Sequence, residues 1–476
     1  MIWFVLFAGV FWLLITSRYP RQGVWFLLLW VPVQGWFQLN VFNDSSATVL
    51  IYEYLIIGLY LVFGVRALRT PQQYGPPAVV RFAIPFVAWT LLLLPYSLVS
   101  SGPILSLLAL RTYVLPLPLV WIGYRTFVGR DQLESIAWLL MLQLVLIGGI
   151  TASQMIGISS VGGAIFEVPT GYGVAGVIRP PGTFSSPGHL GMYILFSVPF
   201  AFGLLGLRVP LWKRAGFVAG LGGATIALFA NTQRATIVLL AVTLPLIAVL
   251  ARRRKAMSGL AIAIVIMAAA SLLGNRVAGG AIQQRIESIG FDLNNTLVLN
   301  PTERIANALE TPLFGTGIGT AAPGASRLLP RTAMGAQQTF RSLITGESFM
   351  AALVYHGGVP ALVLFYLFIG ALLVEGLRSV RACRKTDMGV LAAGLVCFQV
   401  AIVLQSWAYD PLHYPPSRVF FWFWSGVLIS LPRIATVRTT ASTPARPVIP
   451  VRRLVRRPIA SPPAAAANSV PRSLNR

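Results

Sequence analysis

Three arginines and one glutamate stand in short polar segments, each beside a long apolar run. Arg179 lies in Arg-Pro-Pro-Gly-Thr-Phe-Ser-Ser-Pro-Gly-His-Leu-Gly, and Arg234 closes the turn Asn-Thr-Gln-Arg. Arg304 begins a segment that ends in Pro-Leu-Phe-Gly-Thr-Gly-Ile-Gly. Glu347 stands in Gly-Glu-Ser-Phe-Met at the head of another apolar run. A guanidinium stays charged at physiological pH and meets phosphate oxygens with a two-pronged fork. A carboxylate within reach of a hydroxyl can take its proton. These residue types suit a reaction at a diphosphate. Each also has an ordinary reading taken singly. An arginine at a helix end snorkels to lipid headgroups, and a glutamate at a helix start favours the dipole by about 0.3–1 kcal/mol.

Two further charges fall deeper. Arg111 lies some turns inside an apolar run and Glu53 in the outer part of another. A charge inside a bilayer costs several kcal/mol and is a functional candidate by default. The two are expected either to pair with each other or to meet substrate. Arg81 reads as interfacial. Arg341, close before Glu347, could tune it or bind substrate, and His189 sits inside the Arg179 segment. The three histidines are scattered, and the sequence has no Walker loop, dinucleotide fingerprint, metal-ligand cluster or paired aspartates in an outer loop. The expectation is chemistry without a metal or cofactor. Cys383 and Cys397 are read as structural.

The elements that must position these groups are membrane helices. Residues are 56% hydrophobic and 11% charged, too little polar surface to cover a water-facing globule, which carries roughly 25% charged residues. The apolar residues fall into runs near the roughly 20 residues that cross a bilayer as helix. They lack the alternation of barrel strands. The chain is therefore expected to be an all-α polytopic membrane protein with about 12–13 transmembrane helices. Their centres lie near residues 9, 29, 57, 88, 115, 146, 198, 221, 243, 265, 361, 398 and 426. Alternate connections carry Arg18 and Arg21, Arg66 and Arg69, Arg125 and Arg130, Arg208 to Arg214, Arg252 to Lys255, and Arg378 to Lys385. The positive-inside rule makes these cytoplasmic, with the N-terminus outside and the C-terminus inside. The transmembrane domain is read as 1–432, with long outer loops at 157–187 and 274–346. Residues 433–476 hold nine arginines and no acids, and are read as a disordered basic cytoplasmic tail lying on membrane lipid. The net charge of +24 follows from membrane topology, so no nucleic-acid partner is expected.

Taken together, the four segments resemble the O-antigen ligase and polysaccharide polymerase superfamily of bacterial envelope proteins. Arg179 to Gly191 matches its R-x-x-G-x-F-x-x-P-x-x-x-G stretch, and Thr232-Gln233-Arg234 its polar turn before a helix. Arg304 with Pro312 to Gly319 matches its large-loop motif, and Glu347-Ser348 opens the helix that follows. The resemblance covers roughly residues 100–430. Members of the ligase branch carry His-Asn where this chain has Glu347-Ser348, and glutamate there looks more like a polymerase. His189 stands where asparagine is common. The resemblance implies a donor glycan on undecaprenyl diphosphate, with Arg179, Arg234 and Arg304 holding the diphosphate and Glu347 as general base. It also implies a flippase and a chain-length regulator as possible partners. At an effective dielectric of about 20, one guanidinium 4 Å from the leaving group contributes on the order of 4 kcal/mol before desolvation, so two or three could replace a metal ion. The alternatives are a ligase-type transferase to lipid or protein, and a small-anion transporter. A transporter should show paired broken helices at the membrane midplane.

Overall fold

The computed structural model describes residues 11–41, 51–155, 173–174, 177–231, 233–252, 299–319 and 348–441. Residues 11–18 are helical and lead to α1 (Pro20–Trp30), α2 (Gln34–Asn40) and α3 (Ile51–Arg69). A 3-10 stretch (Ala78–Ala83) runs into α4 (Ile84–Ser100), followed by α5 (Pro103–Tyr113), α6 (Leu119–Thr126) and α7 (Arg130–Met155). A two-residue antiparallel ladder, Gly173–Val174 with Val177–Ile178, precedes α8 (Pro187–Leu205), α9 (Leu211–Asn231) and α10 (Arg234–Ala251). The remaining helices are α11 (Asn300–Leu309), α12 (Phe349–Cys383), α13 (Gly389–Ala408) and α14 (Pro415–Ala441).

The protein is an all-α polytopic membrane protein. Among the described residues, seven helices are long and apolar enough to cross a bilayer. The expected spans near 57, 88, 146, 198, 221, 243, 361, 398 and 426 each correspond to one helix. Two others are broken. The span near 29 divides into α1 and α2 at residues 31–33, and the span near 115 divides into α5 and α6 around Pro116 and Pro118. Proline removes a backbone donor and cannot sit in a helix interior without disturbing the preceding turn. The span near 265 and residues 1–10 lie outside the described residues, as do most of the 157–187 and 274–346 loops. The last helix continues past residue 432 to Ala441, and 442–476 lie outside the described residues.

α8 and α13 form the centre, each with 83% of its span buried in protein, whereas α4 has 28% and faces outward. Their contact is aromatic. Phe196 and Phe200 of α8 meet Phe398 of α13 and Phe420 and Trp424 of α14, with ring centroids 4.5 to 5.2 Å apart for the Phe200–Trp424, Phe196–Phe420 and Phe196–Phe398 pairs. Helix α6 lies directly against α14. A methyl group on Gly426 would come 1.9 Å from the Val120 carbonyl oxygen, and one on Gly123 equally close to that of Phe423. Small residues let backbones approach where lipid supplies no hydrophobic drive.

The bundle has two chemically distinct ends. At one, Arg130 pairs with Glu134 and with Asp387 at 2.5 Å, and Lys213 reaches Glu134 at 2.9 Å. This network ties α7 to α9 and to the α12–α13 connection. Arg18, Arg66, Arg125 and Arg433 lie together at this end too. The segments of Arg179, Arg234, Arg304 and Ser348 stand at the opposite ends of the helices that follow or contain them.

Gly426→Ala is expected to lower stability by about 1–3 kcal/mol through overpacking against a backbone atom. Gly64→Ala, with open space around it, is expected to be neutral or slightly stabilising by helix propensity. Apparent melting temperatures of the purified protein in detergent separate the two.

Candidate functional site

The Arg179 segment folds inward. Pro180 to Phe184 are buried, and the side chain of Gln154 at the end of α7 both donates to the Gly182 carbonyl at 3.1 Å and accepts from the Gly182 N–H at 2.9 Å. The Thr183 hydroxyl donates to the Pro32 carbonyl at 2.7 Å, and Trp36 N–H donates to the Thr183 carbonyl at 2.8 Å. The break between α1 and α2 therefore supplies partners that a continuous helix could not. Ser186 caps α8, accepting from the His189 N–H at 3.3 Å, as the preference of serine for helix starts requires. Arg179 directs Nε at the Asn231 carbonyl, 3.4 Å away, and the Asn231 amide donates to the Pro187 carbonyl at 2.7 Å. Asn231 ends α9 and Arg234 begins α10, so the backbones of these two predicted segments are brought together.

The Arg304 and Glu347 segments form a second unit. Ile305 and Ala308 of α11 pack on Ala351, Val354 and Tyr355 of α12, while Leu309 and Leu313 are exposed. The glycine-rich stretch then presses into a kink of α12 at Gly358, whose φ of 70° lies in the left-handed region. A methyl group on Gly358 would come 2.0 Å from the Leu313 carbonyl oxygen. The carbonyls freed by the kink are used. Thr316 N–H donates to Tyr355 O at 2.8 Å, Gly317 N–H to His356 O at 3.1 Å, and Trp89 Nε1 to Gly357 O at 2.8 Å. Arg304 is half-buried on α11. Ser348, buried, caps α12 by accepting from the Ala351 N–H at 3.3 Å. Glu347, Arg341 and the side chain of Arg234 lie outside the described residues.

The two units meet at the connection between α13 and α14, residues 409–414. Tyr409 O accepts from the Phe349 N–H at 3.1 Å, and the His413 ring lies 5.1 Å from that of Phe349. On the other side the Tyr414 ring lies 4.4 Å from His189, whose Nδ1 is 2.8 Å from the Ser185 hydroxyl. One short connection thus touches both units.

Beneath it lie buried polar groups. Asp410 hydrogen-bonds His413 Nδ1, and the Tyr113 hydroxyl is 2.7 Å from His356 Nδ1, with the Tyr113 ring 5.1 Å from that of His413. His413 Nε2 and Asp410 Oδ1 are buried with no hydrogen-bond partner among the described residues. A buried polar atom left unpaired costs about 1–3 kcal/mol, so such atoms need a reason. Close by, Arg111 pairs with Glu53 at 2.6 Å, and Arg418 approaches the same carboxylate oxygen at 4.0 Å and donates to the Tyr52 hydroxyl. Arg418 is only 2% exposed. One carboxylate thus serves two guanidiniums, so this buried set carries a net positive charge.

Sequence reasoning paired Glu53 with Arg111 as one of two options but missed Asp410, His413 and Arg418. Their signal was present. Tyr409-Asp-Pro-Leu-His-Tyr-Pro-Pro-Ser-Arg418 places three chargeable groups and three prolines between two apolar runs, more than a plain turn needs. No family model matches the chain, and no curated protein sequence matches it. Among the described residues, no group of three or more His, Cys, Asp or Glu could hold a metal ion.

Glu53→Ala should be costly, because it leaves two buried guanidiniums without their carboxylate. A loss of about 3–5 kcal/mol is expected. Glu375→Ala, which breaks the partly exposed pair with Arg378, is expected to change stability by about 1 kcal/mol or less. Thermal unfolding of the two variants in detergent compares them directly.

Proposed function

We propose that this chain is a polysaccharide polymerase of the bacterial cytoplasmic membrane, working on its outer face. The donor is a glycan carried on undecaprenyl diphosphate, and the acceptor is the sugar hydroxyl at the end of another repeat unit. Arg179, Arg234 and Arg304 hold the diphosphate. Glu347 takes the proton from the acceptor hydroxyl as its oxygen bonds to the anomeric carbon. The bond from that carbon to the diphosphate oxygen breaks, and the diphosphate leaves with the electron pair and the negative charge. Direct displacement inverts the anomeric centre. On this reading the arginine-rich end of the bundle is cytoplasmic, the N-terminus is outside and the C-terminus inside.

The observation that carries the proposal is the convergence through residues 409–414. Segments far apart in sequence, each identified by its resemblance to the same family, are held to one connection at one end of the bundle. The net positive charge of Glu53, Arg111 and Arg418 nearby supports the same reading, because it favours an anionic substrate.

The transport reading has one observation in its favour. The α5–α6 break and the α12 kink lie side by side, joined by Tyr113 and His356, and paired broken helices mark ion sites in transporters. There, however, the unwound carbonyls bind the ion. Here those of Tyr355, His356 and Gly357 accept from Thr316, Gly317 and Trp89. The kink is filled by protein, which favours the transferase.

In cells carrying Glu347→Gln, long polymer is expected to vanish and single repeat units on lipid diphosphate to accumulate. Arg179→Ala should reduce polymer formation by about 10²–10³-fold, the cost of removing one preorganised charge-stabilising donor. Lipid-linked glycans resolved by electrophoresis and mass spectrometry report both. Unchanged polymer at normal protein levels in Glu347→Gln would sink the catalytic assignment.

A further inference from the structure

The opposite end of the bundle carries a cavity of about 500 Å³, lined by Arg18, Arg21, Arg66, Arg125, Arg433 and Tyr19 among others. Among the described residues, no Asp or Glu lines it. The guanidiniums come from widely separated parts of the chain, and those of Arg125 and Arg433 are held by carbonyls and an aromatic ring. Arg125 Nε donates to the Gly75 carbonyl at 2.6 Å, and Arg433 Nη2 to the Tyr124 carbonyl at 2.8 Å. Both also lie over the Tyr124 ring, at 4.8 and 5.0 Å from its centroid. Carbonyls and an aromatic face orient a guanidinium while leaving its charge in place.

The contrast with the neighbouring network decides how to read this. At the same end, Arg130 and Lys213 are matched by Glu134 and Asp387. Acids are therefore used where the fold needs positive charge neutralised. The topology rule asks for basic residues in cytoplasmic connections; it does not ask the start of α1, the ends of α3 and α6 and the last helix to aim arginines at one concavity. Like charges gathered around a cavity repel one another, and an anion removes that repulsion. The volume falls within the range of small-ligand sites, and several forks around one space suit a group with two phosphates.

We infer that this cavity is a binding site for a diphosphoryl anion, separate from the site at residues 409–414. The shared chemistry has two sources: the headgroup of an anionic diphosphoryl phospholipid in the adjacent leaflet, or a soluble diphosphate in the cytoplasm. Basic pockets between membrane helices take lipid headgroups of this kind.

The test uses the full-length protein in non-ionic detergent, with inorganic pyrophosphate as the soluble probe and cardiolipin as the lipid probe. Titration calorimetry reads the first and native mass spectrometry the second. The variants are Arg21→Gln, the double change Arg125→Gln with Arg433→Gln, and Arg214→Gln, which lies on an exposed position away from the cavity. Loss of two charge-assisted contacts is expected to weaken binding about tenfold or more in the double variant. Arg21→Gln, which removes no contact that orients its neighbours, should weaken binding if the double variant fails to fold. Cardiolipin retained by wild type and lost by the variants assigns the lipid source. Pyrophosphate bound by wild type and not by the variants assigns the soluble source. If neither probe binds, or if Arg214→Gln weakens binding as much as Arg21→Gln does, the inference is overturned and these arginines serve topology alone.

Discussion

A peptide group that leaves a helix inside hydrocarbon has no water to bond, so its partner must come from the protein. This chain leaves its helices repeatedly near one end of the bundle: at residues 31–33, 114–118, 179–186, 312–319, 358 and 409–414. These irregular stretches answer one another. The first supplies the Pro32 carbonyl and the start of α2 the Trp36 N–H to the third, the fourth fills the kink of the fifth, and the sixth accepts from the start of α12. The requirement that all be satisfied together gives a site built from irregular backbone its fixed shape.

The buried charges follow from the same constraint. Glu53, Arg111 and Arg418 are accommodated among helices because each faces another charge or a hydroxyl. Their arrangement is asymmetric, with two cations on one anion. A purely structural set would be expected to balance. The surplus charge lies near the polar groups of Tyr113, His356, Asp410 and His413, with Arg418 Nη1 directed at the Thr112 carbonyl.

The helical architecture was legible because lipid imposes it through length and polarity, and nine of the expected spans are single helices. The broken spans were less legible. Pro116 and Pro118 mark one break openly, and Pro32 marks the α1–α2 break, but that Thr183 would meet both Pro32 O and Trp36 N–H there is in no local pattern. The Arg179, Arg234, Arg304 and Ser348 segments stood out because each is polar beside an apolar run. Asp410 and His413 did not, since a turn between two helices is expected to be polar. Their burial comes from where α13 and α14 are packed, which no local pattern carries. Arg418, four residues into α14, reads in sequence as a boundary arginine and is instead fully enclosed.

The pairing between Arg418 and Tyr52 spans 366 positions of chain, which has a consequence for biogenesis. Helices enter the membrane in the order of synthesis, so Glu53 is threaded into lipid long before Arg418 exists. A lone carboxylate within a span resists insertion. Arg111 arrives after a few dozen residues and neutralises it, so the early helices can leave the translocation machinery as a charge-balanced group. Arg418 then adds its charge only when the last span docks. A nascent chain stopped before α14 would hold its early helices in the bilayer yet lack both the turn that joins the two halves of the site and the surplus charge near it. Assembly is thereby coupled to late synthesis: the candidate site is not complete until α14 is in place.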